Sequence, residues 1–127
     1  MNKTRFILDS NVIIDILNRN LDLLTFLEDF PNCEVYINPI VYIEVLSKPD
    51  MSEREEAAAR SLMDSFKLIE IDEPICETTI KIRRTKELRL PDAIIVASAI
   101  ILNATVLSND SHLRDYQYTG YNASATR

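Results

Sequence analysis

Short strand-like segments alternate with helical segments along almost the whole length of this 127-residue chain. These segments have the length and composition of strands; they lie at residues 6–8, 34–37, 68–71 and 105–107, with a further edge strand predicted at 116–118. Between them, apolar side chains recur at helical spacing, often after a capping residue or a proline. Such alternation is typical of parallel sheets with helices on both faces. The sequence therefore predicts a single doubly wound α/β domain over residues 1–121, followed by a frayed tail at 122–127.

The chain contains a single glycine, Gly120, and this excludes several classes of binding site. Loops that cradle phosphates need two or three glycines for close backbone approach, so neither a P-loop nor a dinucleotide fingerprint is present. One histidine, His112, and two cysteines, Cys33 and Cys76, make a zinc site hard to assemble. Any chemistry is therefore expected to rest on carboxylates.

The two isolated cysteines also favour the reduced cytoplasm. Residues 1–5 are polar and lead directly into the first strand, so no targeting segment is expected. The longest apolar stretch, 93–107, includes polar residues and is shorter than the roughly 20 residues that span a bilayer. The sequence thus predicts a cytoplasmic protein without a membrane partner.

Two acids follow predicted strands. Asp9 comes directly after the first strand, and Asp110 lies just beyond the strand at 105–107. In open parallel sheets the ligand crevice lies outside the carboxyl ends of the strands, which makes both acids candidate site residues. The alternative for each is local, because Asp9 could cap a helix and Asp110 could belong to a turn.

Two further acids lie within apolar segments. Glu44 has apolar residues immediately before and after it, and Asp92 is the only charged residue between Leu90 and Asn109. A carboxylate buried without a partner costs several kcal/mol or takes up a proton. Asp92 could simply stabilise the start of a helix, and a buried ion pair could account for Glu44. We expect both to be buried members of one site.

A cluster of carboxylates needs neutralisation, and hard divalent cations provide it. Such cations activate water and stabilise the leaving oxygen in phosphodiester hydrolysis. The four acids therefore indicate a nuclease or a phosphatase.

Four segments together resemble a PIN-domain ribonuclease. They are FILDSN at residues 6–11, the helix around Glu44, LPDAIIVA at 90–97 and LSND at 107–110. At this length the chain is most similar to a VapC-type toxin of a type II toxin–antitoxin pair. The resemblance covers nearly the whole chain, and the segment at 90–97 is its most specific part.

The resemblance implies an endoribonuclease with one or two Mg²⁺ or Mn²⁺ ions held by the four acids Asp9, Glu44, Asp92 and Asp110. Ser10 and Asn11 would support Asp9, although as generic residues they could equally cap the helix. Relatives often carry another acid two residues after the position of Asp110, where this chain has His112. Asp115 is a conceivable substitute.

The resemblance also implies partners. Part of the apolar surface of the first two helices and the Glu44 helix would bind an antitoxin, in a homodimer or a toxin–antitoxin hetero-oligomer, and the alternative is that these residues are core. The net charge is −6, yet residues 81–89 carry five cations and one acid. This basic run either complements a helix end or contacts RNA phosphates through Arg84, Lys86 and Arg89.

The main alternative to a nuclease is a non-catalytic or receiver-like regulatory module with the same strand-end acids. A receiver needs paired acids after its first strand and a lysine after its last, but Ser10 follows Asp9, and residues 108–110 contain no lysine. A covalent phosphatase route needs a second acid at position 11, which is Asn11.

Overall fold

The structure is a computed structural model that describes residues 3–108 and 119–121. Asp110, His112, Asp115, the predicted strand at 116–118 and the tail at 122–127 lie outside the described residues.

Among the described residues five strands form one parallel sheet, which confirms the predicted α/β class. In chain order the strands are β1 (Arg5–Leu8), β2 (Glu34–Ile37), β3 (Lys67–Leu68), β4 (Thr105–Leu107) and β5 (Thr119–Tyr121). Their spatial order is β3-β2-β1-β4-β5, and every neighbouring pair is parallel. The order reverses direction beside β1, which is the doubly wound arrangement.

The third strand is shorter than its sequence predicts. Prediction placed it at residues 68–71, whereas β3 pairs with β2 only at Lys67 and Leu68, and one further hydrogen bond joins the Ile69 amide to the Ile37 carbonyl. Pairing ends there because β2 itself ends at Ile37 and Asn38 already caps the following helix.

In the described part of the chain, six helices connect the strands: α1 (Ser10–Leu17), α2 (Asp22–Leu27), α3 (Pro39–Leu46), α4 (Glu53–Asp64), α5 (Glu73–Thr85) and α6 (Leu90–Leu102). Polar residues cap α1, α3, α4 and α5, and Ser52 forms a capping box with Glu55 at α4. Asn103 adopts the left-handed conformation that ends α6 and turns the chain towards β4.

The apolar core lies on both faces of the neighbouring strands β1 and β4. Ile7, Leu8 and Leu107 are fully buried, and the rings of Phe26 and Phe30 both pack edge-on against Phe6. α1, α3 and α4 contact one another, while α5 packs on α6, which contacts β1. Crossovers between parallel strands are almost always right-handed. Because the strand order runs in opposite directions on the two sides of β1, the group α1, α3 and α4 and the pair α5 and α6 lie on opposite faces of the sheet.

The long apolar stretch of the sequence corresponds to α6, whose residues 92–99 are all buried, followed by β4. Within the described ranges, no helix has the length and hydropathy needed to cross a membrane.

Candidate active site at the carboxyl edge of the sheet

Asp9 lies at the carboxyl end of β1 and is also the N-cap of α1. Its extended backbone (φ −78°, ψ 156°) lets the side chain turn back over the first turn of the helix. Oδ1 accepts hydrogen bonds from the Asn11 backbone N–H at 3.4 Å and from the Ser10 hydroxyl at 3.3 Å. The residue is only 5% exposed. Asp9 is therefore a helix cap and also a buried carboxylate at the carboxyl edge of the sheet, so the two interpretations of the sequence do not exclude each other.

Ser108 forms a hydrogen bond with the other carboxylate oxygen of Asp9. Its hydroxyl donates to Asp9 Oδ2 at 2.7 Å, and the residue is fully buried. The register of β1 with β4, in which Leu8 pairs with Leu107, places residues 9 and 108 side by side. The sequence prediction missed Ser108 because Ser-Asn-Asp after a strand is typical of a turn. A predicted pairing of β1 with β4, continued one residue past Leu8 and Leu107, would have placed Ser108 beside Asp9.

Asn38 lies on the opposite side of Asp9. Ile7 pairs with Tyr36 in the β1–β2 register, and continuing that register places residues 9 and 38 side by side just beyond the strand ends. Asn38 is fully buried, and its Oδ1 accepts from the Val41 amide at 2.9 Å. Its Nδ2 has no hydrogen-bond partner within the described part of the chain. Three buried polar residues thus form a row across β4, β1 and β2.

Asp92 is the second buried acid at this edge. It is the third residue of α6 and is 6% exposed. Because a two-residue connection joins α6 to β4, the start of α6 lies at the same sheet edge as the end of β4. Arg89 Nε and Nη2 both lie 3.4 Å from Asp92 Oδ2. The negative charge also suits the amino end of α6.

The expectation that Glu44 is buried is wrong. Its neighbours in α3 divide between two faces: Val41 and Val45, four residues apart, point into the core, whereas Ile43 and Glu44 are exposed. Apolar neighbours in sequence therefore did not imply an apolar environment. Among the residues that the structure describes, no cation forms an ion pair with Glu44, so the alternative of a buried salt bridge is also excluded.

Glu44 instead lines a cavity of about 470 Å³ between α1, α3 and α4. Apolar residues form much of its wall, and charged residues stand around them; the lining comprises Ile14, Leu17, Asn18, Arg19, Glu44, Val45, Lys48, Met51, Arg54, Glu55 and Ala58. This cavity is a groove between helices.

The donors at the sheet edge fit a hard cation in chemistry, because Asp9 and Asp92 offer oxygen ligands only. Within residues 3–108 and 119–121, no group of three or more histidine, cysteine, aspartate or glutamate residues is close enough to hold a metal ion. The described residues therefore bring two of the four predicted acids to one edge, while Glu44 lies on the helix surface and Asp110 lies outside the described ranges.

The predicted RNA contacts lie near the same edge. Arg84 and Lys86 are exposed at the end of α5, and Arg89 immediately precedes α6. The segment 86–89 therefore connects the basic end of one helix to the helix that carries Asp92.

A sequence-family model described as "PIN domain" matches residues 6–117. Several solved structures share the fold. A toxin–antitoxin complex from Klebsiella pneumoniae superposes with a TM-score of 0.79 at 24% identity and covers 91% of this chain and 98% of that chain. VapBC-1 from nontypeable Haemophilus influenzae gives 0.77 at 21% identity, with 95% and 99% coverage.

VapBC2 from Rickettsia felis, bound to a DNA fragment from its promoter, gives a TM-score of 0.76 at 17% identity and covers 94% of this chain and 98% of that chain. At these identities the likeness establishes a shared fold. No curated protein matches the sequence significantly.

Proposed function

The chain belongs to the PIN domain family, and on that premise we propose that it is a metal-dependent endoribonuclease and the toxin of a toxin–antitoxin pair. The observation that carries the proposal is Asp9, a buried carboxylate whose partners are two hydroxyls and a backbone amide. Within the described residues no lysine or arginine forms an ion pair with it. A buried charge held only by neutral donors is suited to binding a cation.

Asp9 and Asp92 would hold one or two Mg²⁺ or Mn²⁺ ions, with Glu44 and Asp110 as further proposed ligands. When bound, these ions supply an activated water and stabilise the charge that develops in phosphodiester hydrolysis. Ser108 and Ser10 donate to the two oxygens of Asp9 and so fix the orientation of its carboxylate before any ligand arrives. Burial of Asp9 and Asp92 limits competition from water.

RNA is the proposed substrate, and the exposed cations Arg84, Lys86 and Arg89 would contact its phosphates beside the acids. Water would attack phosphorus, leaving a 5′-phosphate and a 3′-hydroxyl. The acids themselves repel phosphates, so these cations are needed to bring the backbone to the edge of the sheet.

The proposed protein partner is an antitoxin. A solved structure with the same fold is a toxin–antitoxin complex from Klebsiella pneumoniae, and this chain has a groove between α1, α3 and α4. Ile14, Leu17 and Val45 offer an apolar floor, while Arg19 and Lys48 stand among its charged groups. An amphipathic segment of an antitoxin would bind there, within a homodimer or a toxin–antitoxin hetero-oligomer.

Incubation of the purified protein with single-stranded RNA, in Mg²⁺ and in EDTA, tests the enzymatic proposal. We expect endonucleolytic cleavage in Mg²⁺, 5′-phosphate products and no cleavage in EDTA. Cleavage that persists in EDTA, or products that end in a 2′,3′-cyclic phosphate, would contradict the mechanism. Cation binding without cleavage of any RNA would instead favour a non-catalytic regulatory module.

A further inference from the structure

Arg89 and Asp92 form an asymmetric ion pair at the start of α6. Arg89 Nε and Nη2 both reach Asp92 Oδ2, and the shortest N–O distance is 3.4 Å. The Asp92 side chain is 8% exposed, whereas that of Arg89 is 77% exposed. The carboxylate is thus fixed inside the site, and the guanidinium approaches it from solvent.

A divalent cation at Asp92 would compete with this guanidinium. Both contacting nitrogens of Arg89 reach Oδ2, one of the two carboxylate oxygens that a hard cation can use as ligands. The positive end of α6 already lies beside Asp92. Adding a divalent cation next to both positive groups raises the electrostatic cost of keeping Arg89 in place, so binding of the cation weakens the ion pair.

We propose that Arg89 is a positioning residue that acts as the counter-ion of Asp92 until a divalent cation binds, and then transfers to an RNA phosphate. The proposal rests on the metal-dependent function proposed above and adds a coupling between its two ligands. A phosphate that takes Arg89 frees Asp92 for the cation, and a cation that takes Asp92 frees Arg89 for the phosphate. Coupling between two binding equilibria is reciprocal, so each ligand should tighten the other.

The geometry of Arg89 suits this exchange. Its side chain is largely in solvent, so it can move without opening the core. Ion pairs with one partner this exposed are weak, which keeps the cost of displacement small. A guanidinium also forms bidentate contacts with phosphate as readily as with carboxylate.

Binding of Mn²⁺ to the full chain without RNA, measured by isothermal titration calorimetry, tests the first half of the proposal. Arg89→Gln removes the competing guanidinium and should bind Mn²⁺ about two- to fivefold more tightly than the wild type. Arg83→Gln is the matched control, because it removes the same charge from the exposed last turn of α5 and Arg83 is not among the proposed RNA contacts. Within the described residues Arg83 forms no ion pair, so its variant should bind Mn²⁺ like the wild type.

The second half is tested by RNA affinity in Ca²⁺ and in EDTA. The cation should strengthen RNA binding less in Arg89→Gln than in the wild type or in Arg83→Gln. Equal or weaker Mn²⁺ binding by Arg89→Gln, an equal gain in Arg83→Gln, or no Mn²⁺ binding by any variant would overturn the inference. Thermal melts without metal should show that both variants fold.

These outcomes separate the inference from the proposed function. Metal-dependent RNA cleavage by the wild type, with unchanged Mn²⁺ affinity in Arg89→Gln, would reject the role of Arg89 alone. Tighter Mn²⁺ binding by Arg89→Gln, with no RNA cleavage by the wild type, would support the counter-ion role and reject the ribonuclease.

Discussion

At the amino end of the sheet Glu34 lies between two cations, whereas at the carboxyl end Asp9 lies between two hydroxyl groups. Glu34 begins β2 and accepts from Arg5 Nε at 3.0 Å and Lys67 Nζ at 2.5 Å. Its partners come from β1 and β3, so the three side chains join neighbouring strands. The contacts of Asp9 also join strands, but they orient the carboxylate and leave its charge without a counter-ion among the described residues.

The difference distinguishes an acid that stabilises the fold from one suited to bind a ligand. Hydrogen bonds from Lys67 and Arg5 lower the pKa of Glu34 to about 2, so its charge is already compensated within the chain. Asp9 also lies at a strand end, but its hydrogen-bond donors among the described residues are all neutral. The two ends of one sheet thus carry carboxylates in opposite settings: that of Glu34 is paired with cations, and that of Asp9 is bound by neutral donors among the described residues.

The largest expected effect comes from removing the charge at the carboxyl end. Asp9→Asn should abolish RNA cleavage, because the amide keeps the shape but loses the charge that would hold the cation. Its melting temperature in EDTA should equal or exceed that of the wild type, since a buried uncompensated charge is removed. Asp92→Asn should likewise abolish cleavage, and it also removes the ion pair between Asp92 and Arg89.

Glu34→Gln is the control at the amino end, and it should retain full cleavage per folded molecule. A large loss of stability in Asp9→Asn, measured by thermal melts in EDTA, would show that Asp9 is chiefly a structural cap. Asp9 and Glu34 would then both be acids that stabilise the fold.

A smaller effect is expected from the residue that orients Asp9. Ser108→Ala removes the 2.7 Å hydrogen bond to Oδ2 and should lower cleavage or metal affinity by about 10–100-fold. Ser108→Thr keeps the hydroxyl and should retain more activity than the alanine variant. Equal activity of Ser108→Ala and the wild type at limiting Mg²⁺ would remove Ser108 from the site.

Glu44 is exposed, unlike the buried Asp9, and this difference sharpens the comparison. Glu44→Gln should leave the melting temperature in EDTA unchanged, because substitutions at exposed positions usually shift stability little. If Glu44 contributes a ligand, the Mg²⁺ concentration for half-maximal cleavage should rise on the order of tenfold. Unchanged Mg²⁺ dependence would show that Glu44 is not a metal ligand. The metal would then be bound by the other acids, and Glu44 would only line the groove.

The smallest effect is expected in the pH dependence of stability at the amino end. The pKa of Glu34 is about 2 in the folded chain and about 4.3 in an unfolded one. A lowered pKa contributes stability above the unfolded value, and this contribution is lost as the pH falls towards 2. Urea denaturation at pH 7, 5 and 3 should show that Glu34→Gln loses less stability on acidification than the wild type.

Local sequence patterns were sufficient to predict the fold class and most of the elements. Asn38-Pro39 and Asp72 correctly mark helix starts, and the apolar stretch after Pro91 is the buried helix α6. Each of these signals lies within a few residues of the structure that it determines. Asp9 and Asp92 could be singled out for the same reason, because a strand end and a helix start are local features.

The rest depended on tertiary contacts. The exposure of Glu44 follows from which face of α3 meets the core, and the contact of Ser108 with Asp9 follows from the β1–β4 register. The short β3 follows from where its partner ends. Sequence neighbours carry none of this information, since a helix separates adjacent residues by about 100° and a register is set between distant strands.

The hydrogen bond between Ser108 and Asp9 spans 99 positions of the chain. This separation determines how late during translation the bond can form. A ribosome adds roughly 5–20 residues per second, so about 5–20 s pass between incorporation of Asp9 and incorporation of Ser108. During that interval the nascent chain carries Asp9 without the strand that completes its surroundings. Translation therefore delays assembly of the candidate site until more than four-fifths of these 127 residues have been joined.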